Sequence, residues 1–126
     1  MNGFRGESGD GIAGREDLIL HVCTRQDWQA AQTRGEYLAE SLDTEGFIHC
    51  SRPDQVLAVV NQFYSNVPDL ILLWIDPNQL LAELRWESAL DDEYPHIYGP
   101  LNLDAVQAVT RLSPDTDGVY RRLPKG

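Results

Sequence analysis

The run Leu70-Ile71-Leu72-Leu73-Trp74-Ile75 constrains the fold of this chain more than any other stretch. Its six consecutive apolar residues are followed at once by Asp76-Pro77-Asn78, a sequence typical of a turn. An apolar run of this length that does not alternate with polar residues indicates a strand buried on both faces. We therefore expect this strand in the interior of a sheet.

Two segments have helical patterns. Thr24-x-x-Asp27 resembles a capping box and predicts a helix from Arg25 to about Arg34, ended by Gly35. Ser51-x-x-Asp54 is a second cap-like signal, and an amphipathic stripe follows it. The stripe has the helical spacing i, i+3, i+4, i+7, i+8 and consists of Val56, Val59, Val60, Phe63 and Tyr64. This second helix is expected to pack on a sheet.

The remaining apolar patterns are those of short strands. They cover residues 17–23, 47–51, 83–87, 96–100 and 108–112, with a further edge strand over 118–123. An acidic loop is predicted at residues 91–93. The order is strand, helix, strand, helix and then mostly strands, which predicts an α+β domain without regular βαβ alternation.

The length of 126 residues predicts one domain, which we place at residues 16–126. Residues 1–15 contain five glycines and no apolar core of a signal peptide, so they are interpreted as a disordered tail. No apolar run approaches the roughly 18–20 residues that span a bilayer, and no membrane association is expected.

The charge balance narrows the class of partner. Acidic residues outnumber basic ones 20 to 10, which gives a net charge of −10 and disfavours DNA or RNA as a principal partner. Cys23 and Cys50 are expected as two buried thiols, not as a disulfide. The cytoplasm is the expected compartment.

A second informative stretch is Glu45-Gly46-Phe47-Ile48-His49-Cys50-Ser51. On a regular strand, Phe47, His49 and Ser51 point to one face, while Ile48 and Cys50 point to the other. A histidine, a hydroxyl and an aromatic ring on one face are suited to the floor of a ligand site. The alternative is a core strand whose histidine bonds to backbone.

Other chemistries are disfavoured but stay open. The histidines and cysteines lack the spacing of a zinc site, so no metal is expected. Cys50 as a nucleophile is disfavoured because it faces away from His49. Glu45 and Glu87 could form a carboxylate pair of the glycosidase type, although a sequence gives no distance.

A set of short motifs occurs in order along most of the chain. It comprises residues 20–22, Trp28, the Gly35-x-Tyr37 motif, and the segments at residues 41–51, 55–56, 61–64, 73–76, 85–87 and 95–101. The last two segments read Arg85-Trp86-Glu87 and Pro95-His96-Ile97-Tyr98-Gly99-Pro100-Leu101. Taken together, these motifs resemble the bacterial domain-of-unknown-function family number nine-five-two, over about Leu18 to Leu112.

The resemblance implies a fold and a ligand. This family is grouped with the ADP-ribosyltransferase-like proteins, which hold NAD in a cleft of a split, mainly antiparallel β-sheet with two main helices. It therefore implies a small-molecule nucleotide partner, with NAD as substrate and possible transferase activity. The alternative is a non-enzymatic module that binds another small ligand or a peptide on the same fold.

The resemblance also implies residue roles. His21 would bind a ribose hydroxyl, and His49 and Ser51 would line the floor of the cleft. The third cleft position would fall at Glu87 or in the strand that carries His96 and Tyr98. On this reading Glu87 stabilises a cationic transition state, Arg85 holds a phosphate, and Phe47 or Tyr98 stacks on a ring.

Overall fold

The apolar run at residues 70–75 forms the central strand of a three-stranded antiparallel sheet. The computed structural model describes residues 17–124, and the tail predicted at residues 1–15 lies outside the described residues. The strands are β1 (Ile19–Thr24), β2 (Glu36–Tyr37), β3 (Ile48–His49), β4 (Leu70–Ile75), β5 (Glu83–Ala89), β6 (Asp92–Tyr98), β7 (Leu101–Asn102) and β8 (Val106–Arg111). The helices are α1 (Arg25–Arg34), α2 (Glu40–Thr44) and α3 (Val56–Phe63).

Strand β4 is buried on both faces, as its sequence predicts. It lies between β1 and β8 and pairs antiparallel with both. Leu70, Leu72 and Trp74 pack into one hydrophobic cluster with Val56 and Val60 of α3. The alternate residues of β4 pack into a second cluster with α1 and the other sheets; they are Ile71, Leu73 and Ile75.

The second three-stranded sheet has the order β3-β6-β5, and β2 and β7 form a separate pair. The two larger sheets meet where Leu20 and Ser51 form an isolated antiparallel bridge. Each of these residues donates its backbone N–H to the carbonyl oxygen of the other at 2.8 Å. The α+β class predicted from the sequence and the mainly antiparallel pairing implied by the resemblance are thus confirmed. Residues 17–124 contain three α-helices, because the short α2 adds to the two main helices expected.

The two predicted helix starts have different outcomes. The Thr24 hydroxyl accepts a hydrogen bond from the Asp27 N–H, and Gly35 ends α1 in the left-handed region at φ 98°. The cap predicted at Ser51 is wrong, because the backbone of Ser51 is held in the bridge to Leu20. Helix α3 begins five residues later, without a side-chain cap.

Three further boundaries differ from expectation. The strand predicted over residues 47–51 is regular only at 48–49. The predicted loop at 91–93 is a tight turn followed by β6, whose first residue, Asp92, pairs with Ala89. No strand forms over 118–123, because the backbone N–H and carbonyl of Tyr120 bond to the side chain of Asn61, each at 2.8 Å. Within residues 17–124, no helix is long and apolar enough to cross a membrane.

Candidate functional site

One face of the β3-β6-β5 sheet gathers six of the eight predicted site residues. His49 on β3 and Arg85 on β5 both pair with His96 on the central strand β6. Side chains at paired positions point to the same face of a sheet, and so do side chains two residues apart on one strand. Glu87 and Tyr98 therefore lie on the same side, and Phe47, just before β3, packs there too.

The rings on this face are in mutual contact. The ring of Phe47 stacks on His96 with centroids 4.1 Å apart and an interplanar angle of 21°. It also contacts the edge of His49 at 4.8 Å and Tyr98 at 5.3 Å. The imidazoles of His49 and His96 are 5.3 Å apart and nearly perpendicular. We call Phe47, His49, His96 and Tyr98 the ring cluster.

Glu87 joins two members of the ring cluster through one oxygen. Its Oε1 accepts a hydrogen bond from the Tyr98 hydroxyl at 2.6 Å and one from Nδ1 of His96 at 2.7 Å. Both bonds favour the ionised form, so they hold the pKa of Glu87 below its usual value, the Tyr98 bond most strongly. The carboxylate therefore fixes the orientation of His96, whose other nitrogen, Nε2, forms no hydrogen bond to residues 17–124.

His49 has a carboxylate partner of its own. Its Nε2 lies 3.0 Å from Oε2 of Glu45, four residues earlier in the chain, and its side chain is 52% exposed. Glu45 and Glu87 thus do not act as a facing pair in this structure, because each is bonded to a different histidine.

Arg85 lies over the ring of Tyr98, with the guanidinium carbon 4.2 Å from the ring centroid. Two of its nitrogens donate to the carboxylate of Glu83 at 2.9 and 3.0 Å. This pairing lowers the pKa of Glu83 and raises that of Arg85. A phosphate at Arg85 would therefore share the guanidinium with Glu83.

A cavity of about 520 Å³ adjoins the ring cluster and lies within the size range of small-molecule sites. His49, Ser51 and His96 line one side. The rest of the lining is largely apolar and comes from Cys50, from α3 and its C-terminal end, and from the β5–β6 hairpin: Cys50, Val59, Phe63, Tyr64, Ala89, Leu90 and Tyr94.

Two buried polar groups at this cavity have no hydrogen-bond partner within the described part of the chain. Ser51 and His96 are each only 5% exposed. Among residues 17–124, no hydrogen bond is formed to the Ser51 hydroxyl or to Nε2 of His96. Buried polar groups are nearly always hydrogen-bonded, so two such groups beside one cavity call for an explanation. A ligand that hydrogen-bonds to both supplies one.

His21 is not brought to this face. It lies in the core, where its Nδ1 donates to the carbonyl oxygen of His49 at 2.6 Å and its Nε2 accepts from the Tyr37 hydroxyl at 2.8 Å. Burial lowers the pKa of His21 to about 4, so the ring is neutral at physiological pH. His21 supports the strand that carries His49 and does not line the cavity.

The cysteines are buried and free, as expected. Burial raises the pKa of Cys23 to about 12 and raises that of Cys50 further. Thiols with raised pKa values are poor nucleophiles, which fits a packing role for Cys50. Within residues 17–124, no group of three or more histidine, cysteine or acidic side chains could hold a metal ion.

Sequence reasoning missed the walls of the cavity. Phe63 and Tyr64 end the stripe of α3, and both line the cavity; Tyr64 also packs against the core, whereas Phe63 is exposed. Leu90 and Asp91 form the β5–β6 turn with positive φ values of 52° and 66°, which the sequence did not reveal because neither is glycine or asparagine.

The fold and site define a small α+β domain with mainly antiparallel sheets and a histidine- and aromatic-rich cleft. The chain belongs to the family described as "Protein of unknown function (DUF952)", whose model matches residues 22–109. Among the curated proteins, none matches the chain.

The fold is also that of solved structures of protein CC0527 from Caulobacter crescentus. The crystal structure is 30% identical over 82% of this chain and 93% of that chain, with a TM-score of 0.76. The solution structure is 29% identical over 83% and 92% of the two chains, with a TM-score of 0.73.

Proposed function

We propose that the chain binds NAD or a related nucleotide in the cavity beside the ring cluster and cleaves its N-ribosidic bond, in the manner of ADP-ribosyltransferase-like enzymes. The observation that carries the proposal is the pair of unpartnered buried groups, the Ser51 hydroxyl and Nε2 of His96, at the edge of a largely apolar cavity. The site offers apolar walls and two polar groups. A ribosyl compound matches both, because its flat base can lie against the walls and its hydroxyls can bond to the polar groups.

The local charge supports this class of reaction. Glu45, Glu83 and Glu87 lie around the ring cluster, with Arg85 as the cation on the same face. Cleavage of an N-ribosidic bond passes through a cationic ribosyl species, which nearby carboxylates stabilise. A cationic nicotinamide ring would likewise be attracted to this face.

Each residue has a specific role in the proposal. Glu87 does not line the cavity, so it stabilises the developing charge on the ribose through the imidazole of His96, to which its Oε1 is bonded. Phe47 and Tyr98 offer ring surfaces for stacking, and Arg85 offers its half-exposed guanidinium to a phosphate. His49 and Ser51 form the floor. The ADP-ribosyltransferase-like fold is supported by two antiparallel sheets that meet at one bridge.

A second candidate function is a non-enzymatic module that binds a small ligand or a peptide in the same cavity. The observation that favours it is the placement of His21, whose two ring nitrogens are used for structural hydrogen bonds. On this reading the cleft has no histidine for the ribose on β1, and the ligand is bound without turnover.

The test is NAD binding by calorimetry and ligand-observed NMR, with His49→Ala and Ser51→Ala beside the wild type. Leu81→Ala is the matched control, because Leu81 is 85% exposed and does not line the cavity. We expect saturable binding that both site variants weaken and the control retains. Binding followed by release of nicotinamide supports the enzyme, and binding without release supports the module. No binding at millimolar NAD contradicts the nucleotide proposal.

A further inference from the structure

The two histidines of the ring cluster form a matched pair. Each is bonded through one ring nitrogen to its own carboxylate, His49 to Glu45 at 3.0 Å and His96 to Glu87 at 2.7 Å. Each therefore keeps one nitrogen without a partner among residues 17–124. Their rings are 5.3 Å apart, and both residues line the same cavity.

From this arrangement we infer that His49 and His96 are an acid and a base for the hydrolysis of neutral N-ribosides, that is, nucleosides whose leaving base needs a proton. The inference rests on the proposed function and names its substrate class and its catalytic pair. Nicotinamide leaves NAD as a neutral molecule without being protonated, so cleavage of NAD alone would not require a general acid. A purine base leaves readily only when one of its nitrogens is protonated.

The environments of the two rings assign their roles. His96 is buried and donates its Nδ1 proton to Glu87, so its Nε2 is the basic nitrogen and faces no competing partner. An imidazolium formed there is stabilised by Glu87, as a carboxylate does beside a catalytic histidine. His49 is half-exposed and bonded to Glu45, whose carboxylate stabilises the imidazolium form, so in the proposal His49 acts as an imidazolium and supplies the acid through Nδ1.

The step balances without a co-reactant other than water. The water oxygen bonds to the C1′ carbon of the ribose, and its proton passes to Nε2 of His96. The C1′–N bond breaks, and its electron pair stays on the base, which takes a proton from Nδ1 of His49; His49 begins the step as an imidazolium and ends it as the neutral ring. The products are ribose and the free base, and the two histidines are restored by proton exchange with solvent.

The charge of the face selects against phosphates at the reacting end. Glu45 and Glu87 flank the two imidazoles, and Arg85 is already paired with Glu83. A phosphate placed next to these carboxylates would be repelled. A riboside without phosphate therefore suffices for this reaction, whereas a nucleotide has to place its phosphates away from these carboxylates, towards Arg85. The base lies between the end of α3 and the β5–β6 turn.

The test compares two ribosides that differ in the need for an acid. Hydrolysis of inosine and of nicotinamide riboside is followed by chromatography of the released base, for wild type, His49→Gln, His96→Gln and the Leu81→Ala control. We expect wild type and the Leu81→Ala control to hydrolyse inosine. His49→Gln should lose roughly 100-fold or more of its activity on inosine, the size of a general-acid contribution, and far less on nicotinamide riboside.

His49 is half-exposed, so His49→Gln is expected to fold even if a change at buried His96 does not. Cleavage of nicotinamide riboside without cleavage of inosine overturns the inference and leaves the proposed function standing. Equal losses on the two substrates in His49→Gln overturn the role of His49 as acid. If the wild type cleaves neither riboside and does not bind NAD, both the inference and the proposed function are contradicted.

Discussion

Nδ1 of His96 lies 2.7 Å from Oε1 of Glu87, and this contact fixes the orientation of a buried imidazole at the edge of the cavity. A carboxylate can only accept at this position, so the proton of neutral His96 belongs on Nδ1. The same oxygen accepts a hydrogen bond from the Tyr98 hydroxyl, so one residue of β5 orients two polar side chains of β6.

The first prediction concerns the tautomer of His96. Long-range ¹H–¹⁵N NMR of the wild type should show neutral His96 protonated on Nδ1, because Glu87 accepts there. Glu87→Gln should weaken this preference, since an amide can donate as well as accept. Tyr98→Phe is the matched control, because it removes one hydroxyl and leaves the His96 contact in place. Protonation on Nε2 in the wild type would contradict the assigned contact.

The second prediction concerns stability against pH and depends on His21. Its folded-state pKa, about 4, is below the unfolded value of about 6.5, so the unfolded chain binds a proton first as the pH falls. The contribution of neutral His21 to the free energy of unfolding is complete above about pH 6.5. The free energy of unfolding should fall by about 3 kcal/mol between about pH 6.5 and about pH 4. Urea unfolding at several pH values measures it.

The His21→Gln variant should have a lower free energy of unfolding at pH 7, and this free energy should no longer fall between pH 6.5 and 4. The His49→Gln variant changes an exposed histidine, so its free energy of unfolding should still fall over this range. A wild-type free energy of unfolding that does not change over this window would show that His21 is not buried as a neutral ring.

The third prediction concerns the thiols. Cys23 and Cys50 are buried and their pKa values are raised by burial, so neither should react with Ellman's reagent in the folded protein at pH 8. Both should react once the chain is unfolded in guanidinium. Leu81→Cys provides an exposed thiol on the same fold as the positive control. Rapid labelling of the folded wild type would reopen a catalytic role for Cys50.

The fourth prediction concerns a substitution in the β5–β6 turn that should raise stability and weaken ligand binding. Leu90 has a φ of 52°, which costs a residue with a branched side chain roughly 1 kcal/mol, whereas asparagine adopts this conformation readily. Leu90→Asn should therefore raise the thermal midpoint modestly. It also removes an apolar wall of the cavity, so ligand affinity should fall. A variant that gains stability and keeps full affinity would show that Leu90 does not contact the ligand.

Local signals predicted the elements whose causes are local. The apolar run of β4, the cap at Thr24 and the stop at Gly35 each act within a few residues, and each was confirmed. The cap at Ser51 failed for the opposite reason, because a partner 31 positions away in sequence, Leu20, holds its backbone. The strand predicted near the C-terminus failed in the same way, through Asn61.

The site shows the same division. Alternation along β5 placed Arg85 and Glu87 on one face, and the residue types at Phe47, His49, Ser51, His96 and Tyr98 indicated a ligand site. Their convergence depended on the pairing of β3 and β5 with β6, which no spacing along the chain specifies. His21 has the same chemistry as His49, yet the core surrounds it with two hydrogen-bond partners.

The sequence by itself therefore determined the α+β class, the buried strand β4, the capped helix α1, the amphipathic helix α3 and the set of residues able to do chemistry. Only the tertiary structure decided which histidines face the cavity, which carboxylate holds each of them, and where the apolar walls stand. The physical reason is the separation along the chain of the residues that interact. Helix caps, turns and hydrophobic periodicity are settled between near neighbours, whereas burial and long-range hydrogen bonds depend on residues that meet only after the chain has folded.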